Sequence, residues 1–339
     1  MHCGLPRPES ITAEGRRATV GSVSDDRIRV GVSACLLGEE VRYNGGHTRA
    51  RYLTDTLGQF FDFVPVCPEV EIGMGVPRPA VRLGRDRGGI RMVDPVNDVD
   101  WTAAMTTHSR RRVGIVDDEE LLGFVLKKDS PSCGAWRVRV YGRGGSPSRD
   151  GRGVFAEALF DRYPLLPVEE EGRLNDPSLR ENFVERVFAY RRLRGAFRPR
   201  WTPGQIVGFH TREKMMVRAH DEAGYRALGR LVADVGRIPR SAFAGQYQEQ
   251  FMAAMGRKTT TKKHTNVLMH ILGFFKAIED ETARRDLHGA IEDYRTGLVP
   301  RIVPLTLIRY LAERHEVTLL TEQSYLSPHP KELMLLNHV

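Results

Sequence analysis

The chain has 339 residues, of which 41% are hydrophobic and 28% charged, and a formal net charge of +8. That length suffices for two domains with separate cores, and no apolar run approaches the roughly 20 residues that span a bilayer, which excludes a helical membrane protein. Four cysteines are too few for a disulfide framework, and the charge excess is uneven: residues 1–170 hold 24 Lys+Arg against 24 Asp+Glu, residues 171–339 hold 27 against 19. A basic second half suits a polyanion partner and equally suits a solvated helical surface.

Residues 1–26 lack the apolar centre of a secretory signal and are rich in Gly, Ser, Arg and acids, so a disordered tail and a cytoplasmic location are expected. RIRVGVSAC (27–35), FDFVPVC (61–67) and LLGFVLKK (121–128) are short apolar runs ended by Gly, Pro or Ser, and predict buried strands. Between them, ARYLTDTLGQF (50–60) and WTAAMTTHSRRRVGIV (101–116) have helical patterns. The alternation predicts an α/β domain over 27–168 with a mostly parallel sheet. RGGSPSRDGRG (143–153) reads as a loop, and VFAEALFDRYPLLPVEEEGRLNDP as a short helix, a last strand and a linker near residue 170.

From 175 to 339 the pattern changes. ENFVERVFAYRRLR, MMVRAHDEAGYRALGRLVADV, QYQEQFMAAMGRK and NVLMHILGFFKAIED repeat apolar residues at three and four spacings, and Gly297, Pro300 and Pro304 punctuate the helices that follow. An all-α domain is expected, in which His210, His264 and His270 adjoin apolar positions as core or surface members.

Cys35, Cys67 and Cys133 each end a predicted strand, at the edge where open parallel sheets place their sites. Any one of them fits a small buried hydrophobe, but three at equivalent strand ends converge if the strands are parallel neighbours. Three thiolates suit zinc with a fourth ligand from water or a histidine such as His47, or an iron–sulfur cubane with one iron lacking a protein ligand.

The loops around these thiols, SACLLGEEVRYNGG, VCPEVEIGMGVPRP and KKDSPSCG, occur in an order that resembles the thiouracil desulfidase family over about residues 28–165. The resemblance implies a [4Fe-4S] cluster on Cys35, Cys67 and Cys133 with one open iron, and leaves Cys3 as an incidental tail thiol. VGFHTREKMMVRAH, KKHTNVLMHILGFFKAIED, LVPRIVPLTLIRY and EQSYLSPHPKELMLLN resemble a helical domain often fused to such domains. The combination is similar to bacterial transfer-RNA 4-thiouridine desulfidases, and implies tRNA as partner and substrate.

On that resemblance Glu69 is the expected base, with Ser130 or Ser132 orienting the substrate or relaying a proton; the family's catalytic serine favours Ser130. Arg42, Arg78 and Lys127 are expected to face cluster, base or phosphate, and Tyr43 to stack on the base. YRRLRGAFRPRW (190–201) and GRKTTTKKH (256–264) interleave or concentrate basic residues, so Arg191, Arg192, Arg194, Lys262 and Lys263 are expected to bind RNA. Two other readings remain: desulfuration of free thiopyrimidines such as 2-thiouracil, and a non-enzymatic, zinc-containing RNA-binding module.

Overall fold

A computed structural model describes residues 27–142, 146–277 and 280–337. The expected tail, with Cys3, lies outside the described residues. Among the described residues nine strands run in chain order as β1 (Ile28–Ser33), β2 (Phe61–Val66), β3 (Arg82–Asp86), β4 (Gly89–Asp94), β5 (Val99–Asp100), β6 (Phe124–Leu126), β7 (Val138–Tyr141), β8 (Ser148–Gly151) and β9 (Val168–Glu170). The first half also has helices α1 (Pro68–Glu71), α2 (Thr102–Arg112), α3 (Ile115–Asp118) and α4 (Val154–Arg162).

Strands β2, β1, β6 and β9 form, in that order, a sheet in which every neighbour is parallel. Gly31 pairs with Phe124, whose ring occupies the space a Cβ at residue 31 would take, so only glycine lets these strands pack in this register. The sheet is covered on both faces, as a parallel sheet requires. Phe155, Ala156 and Leu159 of α4 share a core with Phe124, Leu126 and Val168. On the other side Val30, Val32, Phe61 and Val125 pack with Phe183, Val184 and Val187.

Those last three residues belong to α5 (Pro177–Ala196), the first helix of the second half. The chain boundary near residue 170 is therefore not a boundary in the core, because the sheet borrows a helix from the far side of it. The α/β class holds for the first half, but the parallel sheet is one of two. Strands β5, β4, β3, β7 and β8 form a second sheet, antiparallel except between β3 and β7. Its β3–β4 hairpin turns through Asp86, which accepts the Gly88 N–H at 2.8 Å, and Gly89 at φ 117°. The segment expected to be a loop, 143–153, contributes edge strand β8, whose residues are exposed up to Gly151 and so show no apolar alternation. The helical pattern at 50–60 yields only single turns, Tyr52–Thr56 and Leu57–Gln59.

Beyond α5 come α6 (Pro203–His220), α7 (Glu222–Ala233), α8 (Arg240–Met255), α9 (Thr261–Leu272), α10 (Glu281–Arg295), α11 (Ile302–Arg314) and α12 (Thr318–Thr321), with no strand among the described residues. The single pattern read over 215–235 is two helices. Asp221 breaks it by accepting the Ala223 N–H at 3.2 Å, which caps α7 where α6 ends. Among the described residues no helix is long and apolar enough to cross a membrane.

Two outcomes follow from this packing. Gly31→Ala should cost roughly 1–3 kcal/mol in urea unfolding, since Phe124 must leave its position. His210 is buried with Nδ1 3.0 Å from the Tyr247 hydroxyl, and burial lowers its pKa from 6.5 to about 4. Its folded pKa lies below the unfolded one, so its contribution is present above pH ~6.5 and is lost as pH falls towards ~4. Between pH 7 and 5 the protein should lose about 2 kcal/mol through this group, and His210→Gln should remove that part of the pH dependence.

Candidate active site

Each thiol follows a strand of the parallel sheet. Cys35 lies in a single turn, Ala34–Leu36, after β1; Cys67 is the N-cap of α1 after β2; Cys133 sits in the turn after β6. All three line one cavity of about 630 Å³. Burial is the main cause that raises the pKa of Cys67 and Cys133, and a neighbouring thiol adds to each, Cys35 to the first and Cys67 to the second.

The Cys133 turn is fixed from below by α4. The N–H groups of Gly153, Val154 and Phe155 donate to the carbonyls of Gly134, Pro131 and Ser132 at 2.8, 3.1 and 2.9 Å, so the turn satisfies the helix's otherwise unpaired first donors. A side chain at Gly153 would overlap the Ser132 carbonyl. The other side of the turn hangs on Glu170 at the end of β9, which accepts the N–H groups of Ala135 (2.9 Å) and Trp136 (3.3 Å); burial pushes its carboxyl pKa upward.

Arg78 ties the first two cysteine loops together. Its guanidinium donates to the carbonyls of Val41 (3.1 Å) and Gly75 (2.8 Å) and forms an ion pair with Glu69, while its own N–H reaches the Tyr43 carbonyl at 2.7 Å. Glu69 then links to the third loop, its Oε1 accepting the Ser132 hydroxyl at 2.6 Å. Ser130 has a different task. Its Oγ accepts the Cys133 N–H at 3.1 Å and the Ser132 N–H at 3.3 Å, and lies 3.0 Å from the Ser132 hydroxyl. The serine that touches the carboxylate is Ser132, whereas the resemblance favoured Ser130; the turn folds Ser130 back onto its own backbone.

Lys127 also lines the cavity, but its ammonium is paired with Glu171, whose other oxygen accepts the Lys128 N–H at 2.7 Å. Arg42 lies 5.5 Å from the centre of the Tyr43 ring, and Tyr43 is 42% exposed at the mouth. Sequence reasoning missed the carboxylates that brace the loops. Glu71 accepts the Cys67 N–H at 3.3 Å and is held by His108 and Arg112 of α2, both at 2.8 Å. Its signal was its place in VCPEVE; that of Glu170 and Glu171 was the acidic run that closes β9.

Burial raises the pKa of all three thiols, that of Cys67 to about 11 although the Val70 N–H pulls it down. Unliganded, they are neutral at pH 7; as ligands they become thiolates whose charge the metal offsets. The cavity lining holds three cysteines and no histidine, and of its basic side chains Arg78 and Lys127 are already paired with Glu69 and Glu171. His47 is exposed, and its Nδ1 accepts the Arg49 N–H at 3.2 Å. Among the described residues no three His, Cys, Asp or Glu side chains close on one point as a single ion requires. Three cysteines and no histidine on one cavity are a donor set that an iron–sulfur group with three protein ligands can use.

The residues expected to bind RNA do not form one patch. Helix α5 starts beside the first turn of α9, where Ser178 and Thr261 line a common cavity, and it ends beside the start of β1, where Arg191 and Arg194 line a hollow with Arg27 and Arg29. Thirteen helical residues, about 20 Å, separate Ser178 from Arg191. Lys262 is exposed, whereas Lys263 donates to the carbonyls of His220 (2.7 Å) and Lys258 (2.9 Å). Arg192 forms a forked pair with buried Glu213 at 2.6 and 3.0 Å and donates to the Pro328 carbonyl, so it binds helix to helix.

Residues 30–171 match the family model described as 2-thiouracil desulfurase, and residues 214–330 match that of a protein of unknown function, DUF1722. The uncharacterized protein YbgA of Escherichia coli (strain K12) is 30% identical over 151 residues, 44% of this chain and 89% of that protein. The uncharacterized protein YbbK of Bacillus subtilis (strain 168) is 27% identical over 150 residues, 43% of this chain and 97% of that one. A solved structure described as the [4Fe-4S]-dependent thiouracil desulfidase TudS is 31% identical, covers 44% of this chain and 95% of that chain, and has a TM-score of 0.37. The chain belongs to the family of YbgA and joins a 2-thiouracil desulfurase domain to a DUF1722 domain.

Proposed function

We propose that this protein is a desulfidase that holds a [4Fe-4S] cluster on Cys35, Cys67 and Cys133 and converts 4-thiouridine in tRNA to uridine. The observation that carries the reading is the convergence of three thiols from three strand ends on one cavity that also contains a hydrogen-bonded Glu69–Ser132 pair. Bound there, the cluster would supply an open iron as a Lewis acid for the substrate's sulfur.

The protein's own groups serve the water side of the reaction, in which a thiocarbonyl and water give a carbonyl and sulfide. Arg78 holds one oxygen of Glu69 and so fixes the carboxylate plane. The other oxygen, shared with the Ser132 hydroxyl, is the one able to take a proton from water directed at the ring carbon. The proton that Glu69 takes returns through the Ser132 hydroxyl to the departing sulfur and the adduct's remaining hydroxyl proton leaves with it, so that a carbonyl and hydrogen sulfide form and both side chains regain their starting states. Tyr43 at the mouth offers a ring face to a pyrimidine, with Arg42 beside it. The basic excess of residues 171–339 supports an RNA substrate. Free thiopyrimidines are the second reading, favoured by the description of the family model over residues 30–171.

Under anaerobic conditions thiolated tRNA should lose its thiouridine absorbance; unchanged RNA beside consumed 2-thiouracil would transfer the assignment to the free base. Cys133→Ala should lose bound iron and turnover together, and an active, iron-free variant would overturn the ligand set. Glu69→Gln should retain iron and lower kcat by about 10²–10⁴-fold. Ser132→Ala should lower kcat more than Ser130→Ala at equal iron content; the reverse order would return the role to Ser130.

A further inference from the structure

The parallel sheet has two edges across its strand ends, and the thiol cavity occupies only the C-terminal one. At the opposite edge two adjoining hollows of about 730 and 520 Å³ share Gly195, Arg198 and Pro199. Their location follows from their walls. Arg27 and Arg29 flank the first residue of β1, and Leu122, whose N–H donates to the Arg29 carbonyl, precedes β6. From Arg27 to Ser33 the strand advances about 20 Å, which is the distance that sets these hollows apart from the thiols.

Every basic residue lining the two hollows is an arginine. Six of them, Arg27, Arg29, Arg194, Arg198, Arg200 and Arg212, are exposed. The acids are fewer: Glu120 lines one hollow, Glu213 is taken by Arg192, and Glu119 and Asp62 pair with Arg29 and Arg27 at the rim. Glycines 195, 204 and 208 keep the floor open, and Trp201 and Phe197 supply aromatic walls. Planar guanidinium forks match phosphate oxygens two at a time and shed water more readily than ammonium groups, so an all-arginine lining favours backbone phosphates over a diffuse anionic surface.

We infer that these hollows form one groove for the sugar-phosphate backbone of the RNA substrate, gripping a part of it remote from the thiolated base. The inference rests on the desulfidase reading for the identity of the RNA and on the groove's own geometry for the contact. It sets a size rule: an RNA that delivers its base to the thiol cavity while filling the groove must reach around a sheet edge about 20 Å long. A folded tRNA meets that rule; a free base or a single nucleoside does not.

The test compares the unaltered protein with a variant carrying Arg194→Gln, Arg198→Gln and Arg212→Gln, none of which the structure pairs with a carboxylate among the described contacts. Binding of unthiolated tRNA should weaken about tenfold or more, and the slope of log affinity against log salt should fall by about 2 to 3. The ratio of kcat/KM for full-length thiolated tRNA to that for the free 4-thiouridine nucleoside should fall about tenfold or more. Unchanged affinity, slope and ratio would overturn the groove. If the triple variant unfolds, hydrogen exchange on the unaltered protein decides: bound tRNA should slow exchange in residues 194–201, and no slowing would overturn the inference. Binding is read without turnover, so a protein that binds tRNA through the groove but desulfurates nothing would defeat the proposed function alone, and one that desulfurates tRNA with the groove unprotected would defeat the groove alone.

Discussion

Four strands that all run the same way, β2, β1, β6 and β9, are the constraint on which the site depends. Parallel strands deliver their continuations to a single edge, so three cysteines separated by 32 and 66 residues leave the sheet side by side. Gly31 pairs with Phe124 in this register, and any side chain there would drive the Phe124 ring from its place in the core. A shift between these strands would separate Cys35 from Cys133 and break the Lys127 N–H to Ser33 hydroxyl bond that joins the strand ends at 3.0 Å.

Convergence alone would leave three thiols on loose loops. The loops are instead cross-tied by groups with few alternatives: Arg78 between the first and second, Glu69 and Ser132 between the second and third, Glu170 and the first turn of α4 beneath the third. Arg78 is buried and Glu69 partly so, and removing either leaves the other charge unpaired, so the same residues that face the substrate also hold the cavity's shape. Candidate catalytic groups and scaffold are therefore one network. Cys35 and Cys133 are buried and Cys67 is half-buried, and a metal group bound there would offset the charge of the thiolates.

The helical half is part of the same packing. Its first helix covers a face of the parallel sheet, and its aromatic interior, including Phe209, Phe243, Tyr247 and Phe251, continues the core that begins at Phe124 and Phe155. Because α5 runs from the thiol edge to the opposite edge, the basic residues along the second half are parted between two ends of the molecule. Charge asymmetry, visible as a count, acquires direction only through that helix.

Local chemistry made much of this legible in the chain itself. The three apolar runs, the Gly- and Pro-rich turns after them and the switch to helical spacing determined the strands, the thiols at their ends and the α/β-then-α order, because each is a property of short stretches. The antiparallel second sheet escaped because its strands are short, half-exposed and polar, and β8 at the edge needs no apolar side. The long-range facts were decided only by the tertiary structure: which serine meets Glu69, that Arg192 and Lys263 are committed inside the fold, that Glu71 and Glu170 brace the cysteine loops, and that Arg191 and Arg194 of α5 stand at the edge away from the thiols. Each depends on residues tens of positions apart meeting in space, and such meetings are fixed by sheet register and helix direction, which no local pattern of residues encodes.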